Sequence, residues 1–161
     1  MSAEPPFSLD EAHLYFAKTI NLRVWELLGK EARSPAENEE LLYAAHASLY
    51  HWLQVGTGVN HQRGEWLISH VYAVLGDAPA ALRHACRCWE LTEAHKAALT
   101  DFDLAYGYEA LARAHALAGN CAEAQHYHAL ASEAGAAIAD EEDRAIFLGD
   151  FAGGNWAGLK G

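Results

Sequence analysis

Apolar residues recur at three- and four-residue spacing along almost the whole chain, β-branched runs are absent, and Ala, Leu and Glu abound. That spacing matches the turn of an α-helix, which gathers positions i, i+3, i+4 and i+7 on one face. The punctuation between these stretches is equally regular. Ser8 with Glu11, Ser34 with Glu37 around Pro35, and, as a near variant, Asn120 with Glu123 have the spacing of a capping box. There the cap oxygen accepts from an orphan backbone N–H and the acid three residues on returns the bond. Asn60, Asp77, Thr100 and Asp140 read as further helix starts, and Gly29, Gly56, Gly76 and Gly119 as stops, because Gly accepts the left-handed backbone after a helix end. The pattern predicts helices over 8–29, 35–55, 60–75, 78–96, 101–118 and 121–138, with a short one over 141–149. One all-α domain over residues 1–149 follows, with the Gly-rich stretch 150–161 expected to be a flexible tail.

The turns repeat. Leu28-Gly29-Lys30, Leu75-Gly76-Asp77 and Ala118-Gly119-Asn120 each close one helix and open the next stretch, which turns a row of helices into three tandem helical hairpins. Tyr108, Leu111, Ala112, His115, Gly119, Ala124 and Ala131 share a large, Leu, small, Tyr, Gly, Ala spacing with Ile68, Ser69, Tyr72, Leu75, Gly76, Ala81 and Leu82. On these residues the stretch from about 60 to 138 resembles tetratricopeptide-repeat proteins. The period is longer than that family's, the first hairpin matches only at its turn (Trp25, Leu28, Gly29), and the closing Pro is missing. The resemblance implies an α–α superhelix of three hairpins, with the first helix of each lining a concave surface.

Counting back from each turn glycine gives the groove positions that this resemblance implies: Phe16, Thr19, Arg23 and Glu26; then Arg63, Trp66, His70 and Ala73; then Tyr106, Glu109, Arg113 and Ala116. A helical wheel independently puts Trp66 in the polar sector beside Arg63 and His70, away from Leu67, Val71, Val74 and Leu75. One Arg per hairpin, with Phe16, Trp66 and Tyr106 nearby, could hold a carboxylate bidentately while the aromatics pack its neighbour. The plainer alternative is that each Arg pairs with a local acid; Glu109 and Arg113 stand four apart in the favourable order.

Charge changes the picture of partners. With 22 Asp+Glu against 11 Lys+Arg the formal net charge is −11, which argues against nucleic acid and anionic membranes. No apolar run reaches a membrane span, and Met1 to Phe7 has neither the basic start nor the apolar core of a secretory signal. Cys86, Cys88 and Cys121 cannot all pair. A reduced cytoplasmic protein is the expectation, with self-association into a homo-oligomer left open.

Ten histidines supply the remaining candidate chemistry. His51, His70 and His126 fall in polar sectors, His46 sits among Leu42, Leu49 and Leu53, and His115 and His128 take inward positions from which they could approach each other. Glu65 stands where an apolar residue is expected, one turn from His61 and on the side expected to meet His46. A buried carboxylate needs a partner, so a His46–Glu65 pair is expected; with His61 it could begin a site for a divalent metal. His84 and Cys88, one turn apart, form a lesser ligand pair. A phosphate-cradling Gly loop, a Gly-x-Ser-x-Gly elbow, a Cys-x-x-Cys pair and a His-Glu-x-x-His helix are all absent from the sequence. The favoured expectation is a non-catalytic module that holds a peptide or protein partner in its groove and needs no cofactor. The alternative is a metal or acid/base site at His46, His61 and Glu65 acting on a small molecule.

Overall fold

The computed structural model describes residues 6–156 and 159, and over them the chain forms helices with no strand. They are α1 (Leu9–Leu28), α2 (Pro35–Val55), α3 (Gly58–Leu75), α4 (Ala78–Ala94), α5 (Asp101–Leu117), α6 (Cys121–Ala136) and α7 (Glu141–Ala152). The capping chemistry accounts for most of the starts. Ser8 and Ser34 form reciprocal boxes with Glu11 and Glu37, Thr100 forms one with Asp103, and Asp77 and Asp140 accept from backbone N–H groups in the first turn. At Gly76 and Gly119 the backbone is left-handed, with φ of 82° and 76°. The following N–H groups, those of Asp77 and Asn120, reach back to the carbonyls of Tyr72 and His115, each at 2.9 Å. These are two copies of one Schellman turn, which is why α3–α4 and α5–α6 are joined alike.

Several boundaries differ from expectation for local reasons. The third helix starts at Gly58 because Thr57, not Asn60, is its cap; Asn60 is the third helical residue, and its side-chain oxygen accepts the Thr57 N–H at 2.9 Å. Asn120 makes no side-chain cap and instead bonds His115. Gly29 is right-handed and Gly56 extended, so neither uses glycine's extra freedom in φ. The expected tail is helical at its start, because α7 runs to Ala152, and Trp156 then packs on Phe151 and His128. Residues 157, 158, 160 and 161 of that tail, and residues 1–5 of the N-terminal stretch read as carrying no signal, lie outside the described residues. No helix of the described residues is long and apolar enough to cross a membrane.

Packing is mainly between sequence neighbours. The most extensive contacts join α1 to α2, α3 to α4 and α5 to α6; α2 then packs on α3, α4 on α5, α3 directly on α5, and α7 on both α5 and α6. Three apolar clusters fill this arrangement. Val24, Leu27, Leu41, Leu49, Leu67, Ile68 and Val71 join the first three helices. A small-residue cluster, Ala81, Ala85, Ala110 and Ala114 with Leu111, lets α4 and α5 approach closely. Phe147 and Ile138, fully buried with Tyr106, Ala105 and Ala131, dock α7; burying a side chain the size of Phe147 contributes about 1.5–3 kcal/mol. Buried polar groups also tie the helices together: Ser48 donates to the Ala17 carbonyl, Ser69 to the Ala81 carbonyl, and Gln62 to Thr92 and the Asp103 carbonyl. Among the described residues no buried side-chain N or O is left without a partner.

Candidate functional site

An open cleft of about 940 Å³ runs across α1, α3, α5 and α7. From α1 it takes Lys18, Asn21, Leu22 and Trp25, spaced as one helical face. From α3 come Asn60, Arg63, Gly64 and Trp66, from α5 Phe102, Asp103 and Tyr106, and from α7 Asp143, Ile146 and Asp150. Its rim is apolar and open to solvent: Leu22, Trp25 and Ile146 are 64%, 46% and 48% exposed.

Trp66 is the floor. Its ring stacks on Trp25 at 6.1 Å and on His70 at 5.2 Å, meets Tyr106 edge-on at 5.1 Å, and carries the Arg113 guanidinium 5.6 Å from its centroid. The indole N–H donates to Glu109 Oε2 at 3.0 Å. Glu109 also pairs with Arg113, one turn along α5, and Arg113 donates to His70 Nδ1. Because Arg113 must donate there, that nitrogen is unprotonated; burial first, and the Arg113 charge second, push the imidazole down to about 3. Burial lowers Arg113 itself to about 10, so it stays charged at neutral pH and is matched by Glu109.

Two further polar contacts brace the wall. Arg63 grips Asp103 with two N–H groups at 2.7 and 3.1 Å, and Asp103 also accepts from Thr100. Burial works to raise the Asp103 carboxyl, but Arg63 and Thr100 outweigh it and hold the group below its usual range. The Tyr106 hydroxyl donates to Asp150 Oδ2 at 2.6 Å, and burial, then this carboxylate, raise the phenol.

Of the expected groove residues, Arg63, Trp66 and Tyr106 line this cleft, and His70, Glu109 and Arg113 stand behind Trp66. Phe16 and Arg23 lie elsewhere. Phe16 packs against His51, whose Nδ1 is 2.8 Å from that of His13. Arg23 belongs to a separate depression between α1 and α2, where Glu40 holds it bidentately at 2.7 and 3.0 Å. Each of the three arginines is thus already engaged by a carboxylate of the chain.

The expected His46–Glu65 pair is not formed. Glu65 bonds His84 Nδ1 at 2.6 Å, because the face of α3 that carries it meets α4, while His46 Nε2 lies 3.1 Å from the Tyr72 hydroxyl. His61 donates to the Trp52 carbonyl at 3.1 Å. His46, His61 and Glu65 are therefore not a converging ligand set, and among the described residues no group of three or more His, Cys, Asp or Glu is placed to hold a metal ion. Burial pushes the Cys88 thiol up to about 12, which leaves it protonated, and His84 is committed to Glu65, so that ligand pair fails as well. His115 stacks on Tyr127 and His128 packs on Phe151, so these two do not form a pair.

The features that sequence reasoning missed are Asp103, Asp143 and Asp150. Thr100 followed by Asp103 carries a capping-box signal, but the second bond of that carboxylate, to Arg63, spans 40 residues and has no local trace. Compared with family models, with curated proteins and with solved structures, the chain has no significant match in any of the three.

Proposed function

We propose that the protein is a non-catalytic binding module that holds a peptide segment of a partner in the cleft across α1, α3, α5 and α7. The observation that carries this reading is the cleft itself: about 940 Å³, walled by the first helix of each hairpin and by α7, with exposed Leu22, Trp25 and Ile146 at its rim. Exposed apolar rims around a braced floor are the surfaces on which peptide side chains bury area with little rearrangement. The pairings in the cleft support a binding role over catalysis. Arg63 is neutralised by Asp103 and Arg113 by Glu109, and the Tyr106 phenol is held by Asp150, so these groups fix shape and do not offer a free base or nucleophile. In this reading the three hairpins form a superhelix like that of tetratricopeptide-repeat proteins, with the short helix α7 packed on the last of them. The test is a display selection of peptides on the folded protein, repeated with Leu22→Asp/Ile146→Asp. Peptides that bind the wild type and not the double variant support the reading; equal capture by both proteins, with helicity unchanged, overturns it.

A further inference from the structure

We infer that the peptide seated in this cleft is basic, with Lys or Arg side chains opposite Asp143 and Asp150 and an apolar residue between them on Ile146. The inference rests on the peptide-binding reading above and specifies the partner's chemistry.

It starts from the distribution of charge along the cleft. Asp143, Ile146 and Asp150 stand at i, i+3 and i+7 of α7 and all line the cleft. Two helical turns separate the carboxylates, about 10 Å along the axis. Among the described residues neither is in an ion pair. Asp150 uses Oδ2 to accept from Tyr106, which holds the carboxylate in place and leaves Oδ1 available. The cations of the cleft are differently placed: Arg63 has two of its N–H groups on Asp103, and Lys18 belongs to α1, at the opposite end of the row. Arg113 is paired behind Trp66. The Arg63 side chain is 56% exposed, but its charge is matched by Asp103. Among the described residues an acidic ligand would thus meet one unmatched cation, Lys18 at the α1 end, and a basic ligand would meet two carboxylates outside any ion pair at the α7 end.

The surfaces next to these carboxylates also suit a basic side chain. Phe102 is half-buried in the wall and packs against Tyr106 at 4.7 Å, next to Asp150, so the aliphatic stem of Lys or Arg can lie on a ring while its charge reaches a carboxylate. The net charge of −11 adds a long-range attraction for a basic segment that weakens with salt.

The experiment uses three fluorescein-labelled peptides with the same leucines and with Lys, Gln or Glu at two positions flanking the central Leu, titrated by anisotropy against the full chain. The Lys peptide should bind about fivefold tighter than the Gln peptide, as expected for two exposed charge pairs, and the Glu peptide should bind weakest. Asp143→Asn/Asp150→Asn should reduce the Lys preference to what the long-range attraction alone supplies and lessen its salt dependence. Asn at position 150 still accepts from Tyr106, and Asp143→Asn alone serves as the milder variant. Equal binding of the three peptides, tighter binding of the Glu peptide, or a Lys preference that is undiminished in the double variant overturns the basic assignment and leaves the peptide site standing. Binding by none of the three at any salt concentration removes the peptide reading, and the basic assignment with it.

Discussion

The indole N–H of Trp66 on α3 donates at 3.0 Å to the carboxylate of Glu109 on α5, whose side chain is 5% exposed. The bond fixes the ring that forms the floor of the cleft and gives a buried acid a second partner besides Arg113. Removing one member of a buried pair strands the other charge. Glu109→Ala should therefore destabilise the fold by about 3–5 kcal/mol, and Glu109→Gln/Arg113→Met should recover part of that loss, since no charge then stays buried alone. Urea unfolding of the wild type, the single variant and the double variant checks both statements. A Glu109→Ala protein as stable as wild type would contradict the pairing.

His70 should make stability fall on acidification. Its folded-state pKa of about 3 lies below the ordinary 6.5, so between these values the unfolded chain binds a proton that the folded chain does not. The stabilisation is complete above about pH 6.5 and is lost progressively as pH drops towards 3. In that window His70 should contribute a slope of about 1.4 kcal/mol per pH unit. His70→Phe, which keeps a ring on Trp66 without the titration, should flatten the profile by that amount in denaturant unfolding followed against pH. An unchanged slope in the variant would show that folding does not lower the His70 pKa.

Much of this fold is legible in the sequence because capping is local. Ser8, Ser34, Asp77 and Asp140 each act on their own first turn, and Gly76 and Gly119 each close a turn with residues next to them. Pairings between helices depend on how each helix is rotated about its axis, which local spacing does not determine. Glu65 meets His84 where His46 was expected, since α3 shows that face to α4. Arg23 turns to Glu40 on α2, away from the cleft, although its place before the turn glycine is the same as that of Arg113, which stands behind the cleft floor. Trp66, in the polar sector of its own helix, is covered by Trp25 and Tyr106 from α1 and α5. The cleft's fourth wall was hidden for another reason: a short helix beside a Gly-rich stretch reads as an end of the fold, and only the burial of Phe147 shows that it docks.

Glu65 should be coupled more strongly to His84 than to His46. The Glu65–His84 pair is 16% and 15% exposed at 2.6 Å, so a double-mutant cycle with Glu65→Gln and His84→Phe should give a coupling of about 0.5–3 kcal/mol. The same cycle with His46→Phe should give a smaller coupling, because His46 makes no bond to Glu65 and reaches it only through its packing on His84. The reverse ranking would restore the His46–Glu65 pairing.

Gly135 sets how closely α6 approaches α7. A Cβ there would overlap the ring of Phe147, which is fully buried and cannot swing away. Gly135→Ala should cost about 1–3 kcal/mol through overpacking. At Gly76 the space is open but φ is 82°, so Gly76→Ala should lose about 1–2 kcal/mol through its backbone alone. Thermal unfolding of both variants distinguishes the two causes when Gly135→Ser is added, since a larger side chain worsens only the steric case.

Hydrogen exchange along this chain should be graded, with α7 at its fast end. Helix α7 is held by the inner helices α5 and α6, through Phe147 and the Tyr106–Asp150 bond, and it leaves Ile146 and Leu148 exposed. A unit attached on one side can detach by itself at a free energy well below that of global unfolding. The fourth wall of the cleft is thereby the least stable part of it. A ligand that touches α7 slows its detachment, so amide protection confined to residues of α7 would report occupancy even where the rest of the chain keeps its exchange rates.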